Sequence, residues 1–304
     1  CELGWKRILV ADKKVHDEAS AKLYRDRLEM EFAVIKKANL FGYFLIVQDI
    51  INWVVSQGWL AGPGRGSAAG CLISYLIGIT QIDPIEFDLI FERFYNEGRN
   101  TEGNISLPDI DMDVPAEKRD DVIAYMKRKY GKDNVSQMLT FGRLQGRSVM
   151  KEVLRVNDVC GFAEMNEITK HIPDEAAISD QLQEMDPEDR SIIRWALINN
   201  AEQLGDYCQL NEDGTLKGDY AEFFMQAIRM EGTFKTQGKH AAGVVISAEP
   251  LYKMCPMMNQ RNGGDKIAGL EMEYLEAIGG VKLDVLGLSL LDRIMFVQRI
   301  ANVS

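Results

Sequence analysis

The stretch I-S-L-P-D-I-D-M-D-V, residues 105–114, places three carboxylates two positions apart within an apolar alternation. Because successive side chains of a β-strand point to opposite faces, a strand here would turn Asp109, Asp111 and Asp113 to one face and the apolar residues to a core. Like charges this close raise one another's pKa unless a cation lies among them, and carboxylate oxygens are preferred ligands of Mg²⁺. The stretch therefore predicts a metal-binding strand, with an edge strand protected by negative charge as the alternative.

The composition is that of an ordinary globular protein of 304 residues, of which 46% are hydrophobic and 27% are charged. This length allows two domains or one large domain. The five cysteines include no C-x-x-C pair and the three histidines lie far apart, which argues against a disulfide framework or a zinc site. The charged N-terminal residues and the short apolar run at 41–55 fit neither a signal peptide nor a membrane span, so the sequence predicts a soluble intracellular protein.

The negative charge is concentrated in one segment. Residues 173–222 contain 13 acidic and 3 basic side chains, a net charge of −10, against −11 for the whole chain. Residues 118–155, which follow the aspartates, contain 10 basic and 4 acidic side chains, a net charge of +6. A basic segment after an acidic metal-binding strand is typical of a protein that binds a phosphate-bearing polymer, and a well-solvated helix surface is the alternative.

A glycine-rich loop, A-G-P-G-R-G-S-A-A-G at residues 61–70, is predicted to open a helix with Ser67 as its N-cap and Gly78 as its stop. Glycine N–H groups can approach an anion closely, a helix start adds partial positive charge, and Arg65 can donate paired hydrogen bonds to a phosphate. The loop matches neither the standard mononucleotide motif nor the dinucleotide motif. A tight structural turn is therefore the alternative to a phosphate-binding loop.

The other segments predict helices around a few strands. Apolar spacing indicates helices over residues 15–38 and before Gly58, a helix opened by Pro115, a basic helix over 143–156, and a largely helical middle segment. Strands are predicted over 135–141 and 281–288, and a small-residue turn from Lys239 feeds a further strand. In the last strand Lys282 and Asp284 point the same way, either as a buried ion pair or with Asp284 as a third metal-binding carboxylate.

In their order along the chain, these motifs resemble the palm region of the bacterial replicative C-family DNA polymerases, the polymerase III alpha type. The resemblance covers nearly the whole chain and is weakest across residues 173–222. The segments that carry it are F-G-Y-F-L-I-V (41–47), G-P-G-R-G-S-A-A-G (62–70), D-P-I-E-F-D-L-I-F-E-R-F (83–94), P-D-I-D-M-D (108–113), T-F-G (140–142), K-H-A-A-G-V-V-I (239–246) and V-K-L-D-V-L-G-L (281–288).

The resemblance implies an α+β fold, a polymerase-beta-like nucleotidyltransferase palm formed by residues 1–141 and 237–304, with an inserted helical thumb over residues 142–236. It implies template-directed DNA synthesis, in which a dNTP is joined to a primer 3′-hydroxyl with two Mg²⁺ ions, Mn²⁺ serving as a substitute. The chemistry agrees with the acidic stretch taken alone, because paired cations and positioning dominate phosphoryl transfer.

The resemblance also assigns roles to individual residues. Metal binding falls to Asp109, Asp111 and Asp284, which form the catalytic set with Lys282. Substrate binding falls to Arg65, Gly66, Ser67 and Arg93. The basic segments add DNA-binding candidates, which are Arg143, Arg147, Lys235, Lys239 and His240.

The chain departs from the family pattern at several points. The family's N-P-E-R before the acidic strand is replaced by a longer stretch at 96–104, where Arg99 is the available arginine, and Leu283 and Val285 replace phenylalanines. The T-Q that the family has near residues 268–273 is missing. By this resemblance the chain is expected to lack the PHP domain that precedes the palm in the family and to stop at Ser304 where the fingers begin, so a fragment, a split polymerase or a reduced, viral form is expected.

Two other function classes compete with the polymerase. A non-catalytic palm remnant would bind primer–template DNA or a replication partner. A metal-dependent phosphodiesterase would be expected to have histidines in its metal site, and the acidic stretch has none. For the polymerase, the implied partners are primer–template DNA, dNTPs, the remaining polymerase domains with fingers and clamp-binding region, and other replisome proteins. The implied location is the bacterial cytoplasm, including that of a bacterium infected by a virus.

Overall fold

The computed structural model of the protein describes residues 1–11, 13–96, 98, 107–187, 189–260 and 263–301. This part of the chain is α+β, with a mixed six-stranded sheet and a two-stranded hairpin. It divides into two compact units, which are residues 1–140 with 239–304, called unit 1, and residues 141–238, called unit 2. Unit 2 spans nearly the same residues as the helical insertion proposed from the sequence at 142–236.

The strands are β1 (Asp111–Pro115), β2 (Val135–Arg143), β3 (Gln209–Leu210), β4 (Leu216–Lys217), β5 (Phe234–Ile246), β6 (Met257–Met258), β7 (Ile267–Ala268) and β8 (Val281–Leu288). The helices are α1 (Glu2–Gly4), α2 (Glu18–Lys37), α3 (Phe41–Ser56), α4 (Leu72–Leu76), α5 (Phe91–Phe94), α6 (Arg119–Tyr130), α7 (Gly146–Val156), α8 (Phe162–Lys170), α9 (Ser179–Glu184), α10 (Ile192–Asn199), α11 (Ala201–Leu204), α12 (Ala221–Met230), α13 (Leu251–Met254), α14 (Met272–Ala277) and α15 (Ser289–Ala301). The described residues also form a π-helical turn (Trp5–Val10) and 3-10 turns (Gly66–Gly70, Ala116–Lys118 and Glu175–Ala177).

The large sheet has the strand order β1-β8-β5-β2-β7-β6. Its register places the site, because β1 runs parallel to β8 with Asp111 opposite Asp284. On its other side β8 runs antiparallel to β5, with Gly243 opposite Asp284. Two strands that are distant in sequence therefore bring their acidic residues side by side.

The core of unit 1 lies against one face of this sheet. The apolar residues of β1, β5 and β8 alternate with the polar ones, and Met112, Val114, Val244, Leu283 and Val285 are buried together with apolar residues of α3 and α6. The period of two along each strand makes this separation possible, since every second side chain faces the helices. The opposite face carries the acidic residues and a smaller apolar cluster around Met138 and Val245.

Unit 2 has its own helical core, built from α7, α8, α10 and α12 around residues such as Met150, Ile193 and Phe224. Residues 211–215 connect β3 to β4, which pair antiparallel. Within the described chain no single helix has the length and apolar character needed to cross a membrane, and only the sharply bent pair of α2 and α3 meets those criteria jointly.

The helix predicted to start at Ser67 is wrong in detail. It consists of a 3-10 turn that follows Arg65 and of α4, which are separated by Cys71 in an extended conformation (φ −104°, ψ 113°). The reason is Glu31 of α2, whose buried carboxylate accepts hydrogen bonds from the N–H groups of Leu72 and Ile73 at 3.0 and 2.9 Å. An acid from another helix thus satisfies the donors at the start of α4.

Three other local predictions differ from the structure. The acidic strand starts at Asp111 rather than at residue 105, and residues 105 and 106 lie outside the described part of the chain. Pro115 ends β1 and is followed by a 3-10 turn before α6, because Asp292 caps the N–H groups of Ala116 and Glu117. The turn predicted from Lys239 is part of the long strand β5.

We expect Glu31→Ala to lower the free energy of unfolding by about 3–5 kcal/mol, the usual loss when one partner of a buried ion pair is removed. Arg27, whose Nε lies 2.6 Å from the Glu31 carboxylate, would lose its counter-ion, and two N–H groups would lose their acceptor. Urea titration measures the change. Glu29→Ala, at an exposed position of the same helix, is the control and should change stability by less than about 0.5 kcal/mol. Equal stabilities of the two variants would contradict this account.

Candidate active site

Three carboxylates converge at the edge of the sheet. Asp109, Asp111 and Asp284 each offer an oxygen, and these oxygens all lie within 4.8 Å of one another. Asp111 and Asp284 meet because they are opposite residues of paired parallel strands, and Asp109 joins them from the segment just before β1. This arrangement has the chemical character of a site for a hard divalent cation, which prefers oxygen ligands.

The three carboxylates differ in burial. The side chain of Asp109 is 67% exposed and that of Asp111 is 25% exposed, whereas that of Asp284 is 9% exposed. Asp284 Oδ1 is buried and has no hydrogen-bond partner within the described chain. Leaving a buried acceptor unsatisfied is unfavourable, so this oxygen is a candidate ligand atom for a cation. The residues present therefore fit a divalent metal ion.

Lys282 balances part of this negative charge. Its Nζ lies 2.8 Å from Asp284 Oδ2 and 3.8 Å from Asp109 Oδ1. Burial of the ammonium opposes its charged form, but the hydrogen bond to Asp284 and the neighbouring carboxylates outweigh this and raise the pKa of Lys282. The side chain is therefore a protonated lysine that holds one oxygen of Asp284 and leaves the other free.

The crowding also affects Asp111. Burial raises the pKa of the Asp111 carboxyl, the positive charge of Arg65 opposes that rise, and the charges of Asp109, Asp284 and Asp113 add to it. In the absence of a cation, the folded protein therefore holds this proton more tightly than a solvated aspartate would.

The glycine-rich loop reaches the cluster through Arg65. Its Nη2 lies 3.4 Å from Asp111 Oδ2, and its Nε lies 3.2 Å from Asp113 Oδ1. The backbone approaches closely at Gly62, whose N–H donates to the carbonyl of Asp113 at 2.9 Å, and a Cβ at this position would lie 2.5 Å from Asp113 Cβ. Only glycine fits there. Asp113 is thus buried against the loop as its anchor.

The other substrate-binding candidates lie in two places. Gly66 adopts a left-handed conformation (φ +61°) at the start of the 3-10 turn, and Ser67 is its second residue. Arg93 is exposed on α5, between the buried rings of Phe91 and Phe94. Arg99, the arginine available in the stretch that replaces the family's N-P-E-R, lies outside the described residues.

The DNA-binding candidates belong to both units. In unit 2, Arg143 stacks on the ring of Phe234 at 4.6 Å, Arg147 donates two hydrogen bonds to the carbonyl of Ile172, and Lys235 pairs with Glu152 at 2.8 Å. In unit 1, Lys239 is exposed and His240 is half-buried, both in β5. Arg147 and Lys235 therefore also hold unit 2 together.

Two residues near the cluster were missed. The hydroxyl of Tyr43 accepts a hydrogen bond from the N–H of Ile110 at 3.2 Å, and burial raises the pKa of this tyrosine. In α14, burial raises the pKa of Glu276, the charge of Lys282 opposes the rise, and Asp109 and Asp284 add to it. Tyr43 lies in the quoted F-G-Y-F segment, but no local pattern marks Glu276.

Comparison with known proteins gives consistent matches. Residues 3–287 match the family described as bacterial DNA polymerase III alpha NTPase domain. The DNA polymerase III subunit alpha of Chlamydia trachomatis is 38% identical over 282 residues, which cover 93% of this chain and 21% of that protein. The corresponding subunit of Thermus aquaticus is 38% identical over 290 residues, and that of Pseudomonas aeruginosa is 36% identical over 285 residues. Each match includes 94% of this chain and 22% of the relative. The chain spans about a fifth of the length of these relatives.

We expect Asp111→Asn to raise the melting temperature in the absence of divalent cations. The raised pKa of Asp111 means that the folded state favours the protonated carboxyl, so ionisation costs stability at neutral pH and this cost fades as pH falls through the raised pKa. Conversely, millimolar Mg²⁺ should stabilise the unaltered protein and not the variant. Calorimetry at pH 7 with and without Mg²⁺ measures both effects.

The control for this prediction is Asp121→Asn, at an exposed position of α6 where the carboxylate pairs only loosely with Lys118 at 3.9 Å. It should retain the Mg²⁺-dependent rise in melting temperature. An equal Mg²⁺ response in Asp111→Asn and Asp121→Asn would remove Asp111 from the metal site.

Proposed function

Because the chain belongs to the bacterial DNA polymerase III alpha family, we propose that it provides the catalytic palm for template-directed DNA synthesis, with its helical insertion as the thumb. The observation that carries the proposal is the convergence of Asp109, Asp111 and Asp284, with one buried Asp284 oxygen unsatisfied. Since the chain spans about a fifth of its relatives, the activity of a whole polymerase is itself part of the proposal.

In this proposal Asp109, Asp111 and Asp284 would hold two Mg²⁺ ions, for which Mn²⁺ would substitute. When bound, the ions lower the pKa of the primer 3′-hydroxyl and stabilise the charge on the leaving pyrophosphate. Asp111 and Asp284 fit this role because they are opposite residues of two paired strands, so their backbone positions are set before substrate binds.

The positive side chains would prepare the carboxylates for this task. Lys282 orients Asp284 through a 2.8 Å contact and offsets part of the repulsion among the acids. Arg65 holds Asp111 and Asp113 while about half of its side chain stays exposed, so the guanidinium is available to a triphosphate oxygen. Gly66 and Ser67 follow at the start of the 3-10 turn, where backbone N–H groups suit an anion.

Primer–template DNA and dNTPs are the proposed ligands, and the other polymerase domains and replisome proteins are the proposed partners. The proposed location is the bacterial cytoplasm, including that of an infected host. The basic character of residues 118–155 supports binding to a polyanion despite the acidic chain as a whole.

The proposal is tested in a chimera in which this chain replaces the matching residues of the Thermus aquaticus subunit, to which it is 38% identical. The chimera should extend a primer with Mg²⁺. Asp111→Asn should reduce the rate by about 1000-fold, because losing several kcal/mol of transition-state stabilisation costs tenfold per 1.4 kcal/mol or so. Asp121→Asn should leave extension unchanged. A folded chimera that binds DNA without extending it would instead favour a non-catalytic, DNA-binding palm.

The thumb assignment is tested by neutralising two arginines of unit 2. In the isolated chain, Arg143→Gln with Arg147→Gln should weaken binding to primer–template DNA and lower the slope of log affinity against log salt by about one per lost phosphate contact. Fluorescence anisotropy across a salt series measures the slope. Circular dichroism is needed in parallel, because Arg147 also bonds to the carbonyl of Ile172.

Lys22→Gln, at an exposed position of α2, is the matched charge control and should leave the slope unchanged. A folded double variant with the unaltered slope would show that these arginines do not contact phosphates.

A further inference from the structure

His240 lies on the carboxylate-bearing face of the sheet. Gly243 of β5 is opposite Asp284, and Val245 is opposite Lys282. Opposed side chains of an antiparallel pair point to the same face, so position 243 belongs to the face that carries Asp284. A Cβ at Gly243 would lie 2.9 Å from His240 Nδ1. The imidazole therefore covers the glycine that is adjacent to the third carboxylate.

This geometry limits the distance between the ring and the acid. The Cβ atoms of opposed antiparallel residues are about 4.5–5.5 Å apart. A Cβ at Gly243 would lie 2.9 Å from His240 Nδ1. Adding the two distances places His240 Nδ1 within roughly 8 Å of Asp284 Cβ. The imidazole and Asp284 are therefore close enough for one phosphate-bearing ligand to contact both.

The ring has a defined orientation. His240 Nδ1 accepts hydrogen bonds from the N–H groups of Gly243 at 2.7 Å and Ala242 at 3.3 Å. A neutral imidazole that accepts at Nδ1 carries its proton on Nε2, so the second ring nitrogen is a donor. Both of these hydrogen bonds use Nδ1, so Nε2–H is the ring group that can donate to a ligand.

We propose that His240 Nε2–H donates a hydrogen bond to a phosphate oxygen of a ligand held at Asp109, Asp111 and Asp284. The proposal rests on the proposed function and names one more contact of that site. The oxygen belongs either to the triphosphate of the incoming nucleotide or to the backbone phosphate of the primer. Gly243 is required because any larger residue would displace the ring.

Two substitutions separate the roles of the two ring nitrogens. His240→Asn keeps an acceptor near the position of Nδ1 and removes the donor at the position of Nε2. His240→Gln instead places an amide donor near the position of Nε2. Hydrogen bonds to charged groups are worth about 1.5–3 kcal/mol, so His240→Asn should weaken binding by about 10-fold to 100-fold, and His240→Gln should recover most of this loss.

The affinities of the full chain for Mg²⁺-dNTP and for primer–template DNA are measured separately, with Lys22→Gln as the control. A loss confined to the nucleotide assigns the contact to the triphosphate, and a loss confined to DNA assigns it to the primer phosphate. Imidazole ¹H–¹⁵N spectra add an independent readout, because the chain has three histidines and the His240 variants identify the signal. The Nε2–H signal should shift when the affected ligand is added.

The inference would be overturned if His240→Asn bound both ligands within twofold of the unaltered chain and the Nε2–H signal did not move. That result would leave the proposed function intact. An unaltered chain that binds neither ligand would refute the proposed function and this inference together. Unchanged signals of His16 and His171 in the variants show that the fold is preserved.

Discussion

The parallel pairing of β1 with β8 is the constraint on which the rest of the site depends. It sets Asp111 opposite Asp284 and so forces acids that are 173 positions apart in the sequence into one cluster. Repulsion within that cluster opposes folding, as the raised pKa of Asp111 indicates. The apolar sides of both strands, buried against α3 and α6, supply the opposing free energy that keeps the pairing.

The surrounding structure manages this repulsion in two ways. Lys282 and Arg65 place positive charge directly against the acids, one from β8 and one from the glycine-rich loop. Gly62 lets the loop come close enough for that contact, because a side chain there would collide with Asp113. The loop and the two strands thus form one set of charged contacts. Each contact depends on the backbone positions of both the loop and the strands.

The sequence predicted the elements whose signal is local. Strand alternation identified Asp109, Asp111, Lys282 and Asp284 as candidates, and the same alternation separates the core face from the acidic face in the structure. It could not reveal that Glu31 caps α4, because that contact joins residues about forty positions apart and replaces the cap expected at Ser67. Glu276 was missed for the same reason.

Alternation also made Asp109, Asp111 and Asp113 equivalent, and the fold makes them different. Asp113 is buried against Gly62, and its Oδ1 accepts a hydrogen bond from Arg65 of the loop. Asp284, from another strand, is buried with one oxygen held by Lys282 and the other unsatisfied. A carboxylate that is bonded within the fold anchors structure, whereas a buried carboxylate oxygen without a partner is a candidate ligand atom. The third member of the proposed metal-binding set is therefore brought to the cluster by strand pairing, which no spacing within residues 105–114 encodes.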